Sequence, residues 1–280
     1  MIVTRFAPSP TGYLHLGHAF SALFAMHAAR AAQGRFLLRI EDIDPARCRP
    51  EFDAAIVEDL SWLGLSWDGP VRRQSEHIDD YRAALAQLDG MGVTYPCFCS
   101  RKTVAAEIAS AGAAPHGPVA AIYPGTCRAL SQSERDERIE AGQPFAVRLD
   151  VAAGLAVTGK LSWHDRGAGW VAAQPEREGD PIIARRDSPT SYHLAVTVDD
   201  HLQGVTLVTR GEDLFAATHI QRLLQALLGY DPPDYHHHAL RLNAEGVRLS
   251  KRDGAVSIRA LRERGLSAEE VLAMAGWPTA

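Results

Sequence analysis

Lysine is scarce in this chain: Lys102, Lys160 and Lys251 are the only three among 280 residues, so nearly all its positive charge is arginine. The net charge is −5, which excludes a broadly basic protein and leaves local patches as the route to any polyanion. Four cysteines, Cys48, Cys97, Cys99 and Cys127, are too few and too clustered for a secreted disulfide framework. No long apolar run occurs either. "AFSALFAM" (19–26) is cut short by His27 and Arg30, so nothing spans a membrane. Arg5 and two prolines stand where a secretory signal would need an apolar core. A cytoplasmic location with no membrane partner is the expectation. There is no internal repeat, no low-complexity tract and no G-x-x-x-x-G-K-[ST] loop, and "GAGWVA" (167–172) lacks the third glycine of a dinucleotide fingerprint.

What is there is 46% hydrophobic and 22% charged, an ordinary globular composition with enough chain for a sizeable core. "IVTRF" (2–6) and "FLLRI" (36–40) read as buried strands around a helix over 17–32. Phe52, Ile56, Leu60 and Leu63 form one helical stripe, and Ile78, Tyr81, Leu85 and Leu88 form another. This alternation predicts an α/β fold, a doubly wound, Rossmann-like parallel sheet. The middle of the chain breaks the pattern. A small-residue loop, "AGAAPHGP", is followed by a polar helix over 131–142 with Ser131 and Glu134 at capping-box spacing. "FAVRLD" and "LSWHDRGAGW" then read as antiparallel strands, and α/β alternation resumes near 188. The predicted organisation is a discontinuous core over 1–92 and 188–245 and an inserted α+β subdomain over 93–187. Residues 246–280 hold a loop and two short helices, the second capped by Ser267 and Glu270.

"RFAPSPTGYLHLGH" (5–18) runs from a strand through a Pro- and Gly-controlled loop into a helix. α/β proteins place ligands at such strand ends, and a helix N-terminus offers N–H groups and positive dipole to phosphate. Gly12 and Gly17 permit close backbone approach, and His15 and His18 lie three apart so that both can face one anion. A plain tight turn with surface histidines has the same local sequence. Near the other end, "RLSKRDG" (248–254) carries Lys251, and a cationic loop there can neutralise charge as pyrophosphate leaves.

His15-Leu16-Gly17-His18 and Arg248-Leu249-Ser250-Lys251-Arg252 together resemble the HIGH and KMSKS signatures of class I aminoacyl-tRNA synthetases. "RFAPSPTG", "RIEDIDPAR" and "SYHLAVTVDDHLQGVTLVTRGEDL" (191–214) resemble the glutamyl branch, and the likeness covers nearly the whole chain. The resemblance implies an ATP-dependent ligase that activates L-glutamate, with ATP and Mg2+ as substrate. It places His15, His18 and Lys251 in the catalytic role and Gly17, Leu249 and Ser250 beside ATP. Glutamate carries two carboxylates and one ammonium, so its pocket needs two cations and one anion. Arg5, Arg210 and Glu41 match family binding positions and supply them; arginine suits a carboxylate because its fork binds bidentately. Ser9 and Tyr192 match further positions, with Phe6, Ala7 and Pro8 adding main-chain contacts.

Cys97-Phe98-Cys99 with Cys127 reads as a structural zinc site. Ligand chemistry favours His116 as the fourth donor, whereas the resemblance favours Tyr123 of "YPGTC". In the ordinary glutamyl enzymes a large helical anticodon-binding region follows the KMSKS loop; here 28 residues follow Arg252. The chain therefore resembles the truncated, glutamyl-Q tRNA(Asp) synthetase branch. That branch implies transfer of glutamate to the queuosine base in the anticodon of tRNA(Asp), by a monomer without an anticodon-binding domain. A truncated enzyme charging a tRNA 3′ end and a non-catalytic binding paralogue are the alternatives. His236-His237-His238 is expected on a strand, where three consecutive residues cannot all face one ion. Arg72-Arg73, Arg185-Arg186 and Arg248-Arg252 are candidate phosphate contacts, each equally able to be a solvated charge cluster. Cys48 is expected as a simple free thiol.

Overall fold

The computed structural model describes residues 1–100, 123–240 and 256–277. Strand β1 (Val3–Phe6) leads through the Pro/Gly loop into helix α1 (Leu16–Ala31), and β2 (Arg35–Ile40) returns parallel to β1. The turn between them leaves no room for a side chain at Gly34, where a Cβ would collide with the Ile2 carbonyl. Helix α2 (Pro50–Trp62) starts with Pro50, whose fixed φ and missing N–H suit a first helical turn. Strand β3 (Arg72–Arg73), helix α3 (Ile78–Gly90), strand β4 (Thr94–Cys97) and helix α4 (Gln132–Glu140) follow. Next come β5 (Ala146–Leu149), α5 (Val151–Thr158), β6 (Ser162–Asp165), β7 (Gly169–Ala172) and β8 (Ile182–Ala184). Helix α6 (Tyr192–Leu202), β9 (Leu207–Gly211), α7 (Ala217–Leu228) and β10 (Asp234–His238) precede the short helices α8 (Ile258–Glu263) and α9 (Ala268–Met274).

Two groups of strands form the core, ordered β3-β2-β1 and β9-β10-β6-β7. All their pairings are parallel except the β6–β7 hairpin. They meet where Thr206, just before β9, donates its N–H to the Val3 carbonyl. The order therefore reverses direction at the β1–β9 seam, the switch point at which doubly wound sheets bind ligands. A second, antiparallel sheet, β4-β5-β8, lies in the middle of the chain. β6 and β7 fall within the predicted insertion over 93–187, and β6 pairs with core strand β10. The physical reason is Trp163, fully buried among Val205, Val208 and Tyr235. Both predicted C-terminal helices are present and pack on the core formed by α1, α2 and β2. No helix among the described residues is long and apolar enough to cross a membrane.

One acid on α2 makes no side-chain hydrogen bond among the described residues. Asp59 is fully buried and neither carboxyl oxygen meets a hydrogen-bond donor among the described residues. Burial, only partly opposed by Arg262 and Arg259, pushes its carboxyl up to about 6. A folded value above the unfolded one means that protonation favours the fold, so stability rises as pH falls through about 6 and the full penalty applies above it. Asp59→Asn should therefore stabilise the protein by about 1–3 kcal/mol at pH 8, with the gain fading toward pH 4, in urea unfolding at both pH values. A gain independent of pH would contradict this account of Asp59.

Candidate active site

A cleft of about 540 Å3 opens at the β1–β9 seam. It gathers Arg5, Phe6, Ala7, Pro8 and Ser9 from β1 and its loop, His15, Gly17 and His18 from the start of α1, and Glu41, Tyr192 and Arg210. Every predicted substrate-binding residue within the described part of the chain thus lines one cavity. Leu249, Ser250 and Lys251 lie outside the described residues, as does His116. The residues flanking that segment are nevertheless at the cleft: Leu240 lines it, and Ser257 bridges to His15 while Ile258 donates its N–H to the Leu14 carbonyl.

The H-x-G-H stretch also caps a helix. His15 Nδ1 accepts the Gly17 N–H at 3.2 Å, His18 Nδ1 accepts the His15 N–H at 3.2 Å, and the two rings stack at 3.7 Å. The cap holds both imidazoles at the positive end of α1. The preceding loop is tied to its surroundings through backbone bonds from Glu41 to Pro8 and from Arg49 to Pro10.

The two arginines have opposite surroundings. Arg5 is held side-on by Asp200, with Nε to Oδ1 at 2.9 Å and Nη2 to Oδ2 at 3.3 Å. Asp200 also accepts from the fully buried Arg39, which reaches Glu41 Oε1 at 3.4 Å and Asp199 at 3.7 Å. Asp199 in turn accepts from Arg72, Gln74 and Tyr81. Burial alone would raise Asp200, but Arg5 and Arg39 hold it below the ordinary carboxylate range. For Glu41 burial prevails over Arg39 and Arg5 and pushes its carboxyl upward. Arg210, only 6% exposed, has no carboxylate partner among the described residues. Its fork donates to His237 Nε2 at 3.1 Å, Tyr192 Oη at 3.3 Å and Thr218 Oγ1 at 2.6 Å, all neutral groups. A buried cation so placed favours an anion entering from the cleft.

Sequence reasoning missed the acids behind Arg5. "DD" at 199–200 stood inside a quoted stretch, but its partners Arg5 and Arg39 are far away in sequence. Thr209, Asp213 and Leu214 also line the cleft; "GED" directly after Arg210 was the available signal. The three histidines alternate as strand geometry requires. His236 and His238 pack on Phe24, while His237 points to Arg210. Arg72 and Arg73 are engaged internally by Asp199, Asp80 and Asp53, and Arg185 by Asp44 and Asp187. Cys48 stands apart from the other cysteines as a half-buried free thiol.

Away from the cleft, the sulfurs of Cys97, Cys99 and Cys127 lie within 4.8 Å of one another. The Tyr123 hydroxyl is 3.6 Å from both Cys97 Sγ and Cys99 Sγ. Three thiols and a phenol oxygen converging on one point are a donor set that suits a tetrahedral zinc ion.

The chain matches the family of tRNA synthetases class I (E and Q), catalytic domain, over residues 1–278, and it belongs to that family of ligases. The glutamyl-Q tRNA(Asp) synthetase of Rhodobacter capsulatus is 47% identical over 280 residues, covering 98% of this chain and all of that protein. The glutamate–tRNA ligase of Aquifex aeolicus is 40% identical, and the match covers 99% of this chain but 57% of that ligase. A crystal structure of the glutamate tRNA ligase of Elizabethkingia meningosepticum in complex with its amino acid superposes with a TM-score of 0.81 at 29% identity. That superposition covers 98% of this chain and 60% of the other.

The charge cluster behind Arg5 carries a test of its own. Asp199→Asn removes a buried anion shared by Arg39 and Arg72 and should cost about 3–5 kcal/mol in chemical denaturation. Tyr81→Phe, which removes only one hydrogen bond to the same carboxylate, should cost about 1 kcal/mol. Equal losses from the two variants would contradict the cluster's electrostatic role.

Proposed function

We propose that this protein activates L-glutamate with ATP as glutamyl-adenylate and transfers the glutamyl group to the queuosine base in the anticodon of tRNA(Asp). The observation that carries the reading is the cleft's charge pattern. Among the described residues Arg210 is a buried cation without a carboxylate partner, and Arg5 and Glu41 lie in the same cavity. An amino acid with a second carboxylate complements that pattern. The choice of acceptor rests on relatives 43–47% identical over nearly the whole chain and named Glutamyl-Q tRNA(Asp) synthetase.

In the first step an oxygen of the glutamate α-carboxylate attacks the α-phosphorus of ATP. A new P–O bond forms, the bond to the bridging oxygen breaks, and pyrophosphate leaves. The protein contributes orientation and charge stabilisation and no nucleophile. Arg210 and Arg5 fix the diacid, Glu41 faces its ammonium, and Ser9 and Tyr192 orient it. His15 and His18, beside Gly17 at the positive end of α1, receive the phosphates; Leu249, Ser250 and Lys251 complete the nucleotide site, and Mg2+ enters with ATP. In the second step a queuosine hydroxyl attacks the activated acyl carbon and AMP leaves. Cys97, Cys99, Cys127 and Tyr123 would hold one zinc ion, which supplies a structural cross-link when bound and takes no part in the chemistry. The enzyme works as a cytoplasmic monomer.

Glutamate-dependent ATP–pyrophosphate exchange should proceed without tRNA, and labelled glutamate should then pass to queuosine-containing but not unmodified tRNA(Asp). Exchange that requires tRNA, with label at a 3′ end, would instead identify a glutamate–tRNA ligase. Arg210→Ala should raise the KM for glutamate by about 100-fold with the KM for ATP little changed, in accord with loss of a charged, buried contact. For the metal, elemental analysis of the purified protein should find zinc, and Cys97→Ser should lose it and lower the melting temperature. A metal-free protein with the melting temperature of the chelator-treated sample would remove zinc from the account.

A further inference from the structure

The second of the three consecutive histidines has a place that the reaction above does not explain. His237 and Asp165 are almost completely enclosed, with side-chain exposures of 3% and 2%, and Asp165 Oδ2 lies 2.7 Å from His237 Nδ1. Asp165 is itself anchored. Its Oδ1 accepts the Gly167 and Ala168 N–H groups at 2.8 and 2.9 Å, and its Oδ2 also accepts the His237 N–H at 3.1 Å. Burial alone would raise this carboxyl, but those donors hold it below the ordinary range. Burial and the adjacent Arg210 lower His237 to about 4, so the ring is neutral at neutral pH.

These facts fix the hydrogens by donor and acceptor arithmetic. A carboxylate only accepts, so Nδ1 of His237 carries the single ring proton and Nε2 is an acceptor. Arg210 Nε, which only donates, lies 3.1 Å from that acceptor. Thr218 Oγ1 accepts from Arg210 Nη2 at 2.6 Å and sits 3.3 Å from the same Nε2. Phe215, Tyr235 and Trp163 surround the imidazole and restrict its rotation.

We infer that Asp165 and His237 are positioning residues for substrate selection: Asp165 locks the tautomer of His237, and His237 aims the Arg210 fork into the cleft at an anionic substrate group. The neutral ring between them keeps the Asp165 charge from closing directly on Arg210, so the guanidinium is oriented without being neutralised by contact. This rests on the reading of the cleft as a glutamate site.

The test compares Asp165→Asn, His237→Phe and His237→Gln with the wild type. It uses tRNA-free exchange, calorimetric binding of glutamate, and melting temperature. Gln can present Oε1 where Nε2 stood; Phe offers no acceptor. Asp165→Asn and His237→Phe should each raise the KM and Kd for glutamate about tenfold or more, with the KM for ATP within about twofold. His237→Gln should recover most of the loss. Wild-type glutamate affinity in both damaging variants would overturn the proposal while leaving the glutamate site standing. So would parallel losses for glutamate and ATP that Gln does not repair, since those mark a general packing role. Failure of the wild type to bind glutamate would instead overturn the reading of the cleft, and the proposal with it. If Asp165→Asn does not fold, the Gln and Phe pair at position 237 decides alone.

Discussion

Keeping a guanidinium in the interior with no carboxylate beside it is costly, and among the described residues Arg210 is met by a histidine, a tyrosine and a threonine alone. Its nearest counterpart across the seam is treated differently. Arg5 is clamped by Asp200, whose charge is shared with Arg39 and backed by Asp199. One cation is thus balanced by a buried acid, while the other meets only neutral groups among the described residues. On the reading proposed above, that difference rather than size or apolar lining sets which ligand the cleft takes.

Sheet topology makes the arrangement available. β1 and β9 are adjacent, yet each continues its sheet in the opposite direction, so their carboxyl ends open onto a shared crevice. Arg5 and Arg210 sit near those two strand ends, and the capped start of α1 closes the third side with its helix dipole. Residues 205 positions apart in sequence therefore line one cleft without any loop having to reach across the molecule. The end of β10 and the beginning of α8 border the same opening through Leu240 and Ser257.

Much of this was legible in the sequence because it is local. Strand–loop–helix order around His15 and His18, the capping boxes at Ser131 and Ser267, and the alternation of His236, His237 and His238 all follow from spacing. Arg5, Glu41 and Arg210 were found through matching motifs, since no spacing relates them. What stayed hidden depends on pairing at a distance. β6 and β7 read correctly as antiparallel strands, but periodicity carries no information about which sheet a strand joins, and burial of Trp163 against β9 and β10 decided it. The Asp199–Asp200 pair and Asp165 likewise gain meaning only from partners that folding brings to them.

Isothermal calorimetry with glutamate and glutamine, which differ at one terminal group while sharing the ammonium and α-carboxylate, tests the central claim most directly. A cavity built around one unbalanced cation should bind glutamate at least about tenfold more tightly than glutamine. Equal affinity for the two would contradict the account, because it would mean that the Arg210 charge is already satisfied within the protein.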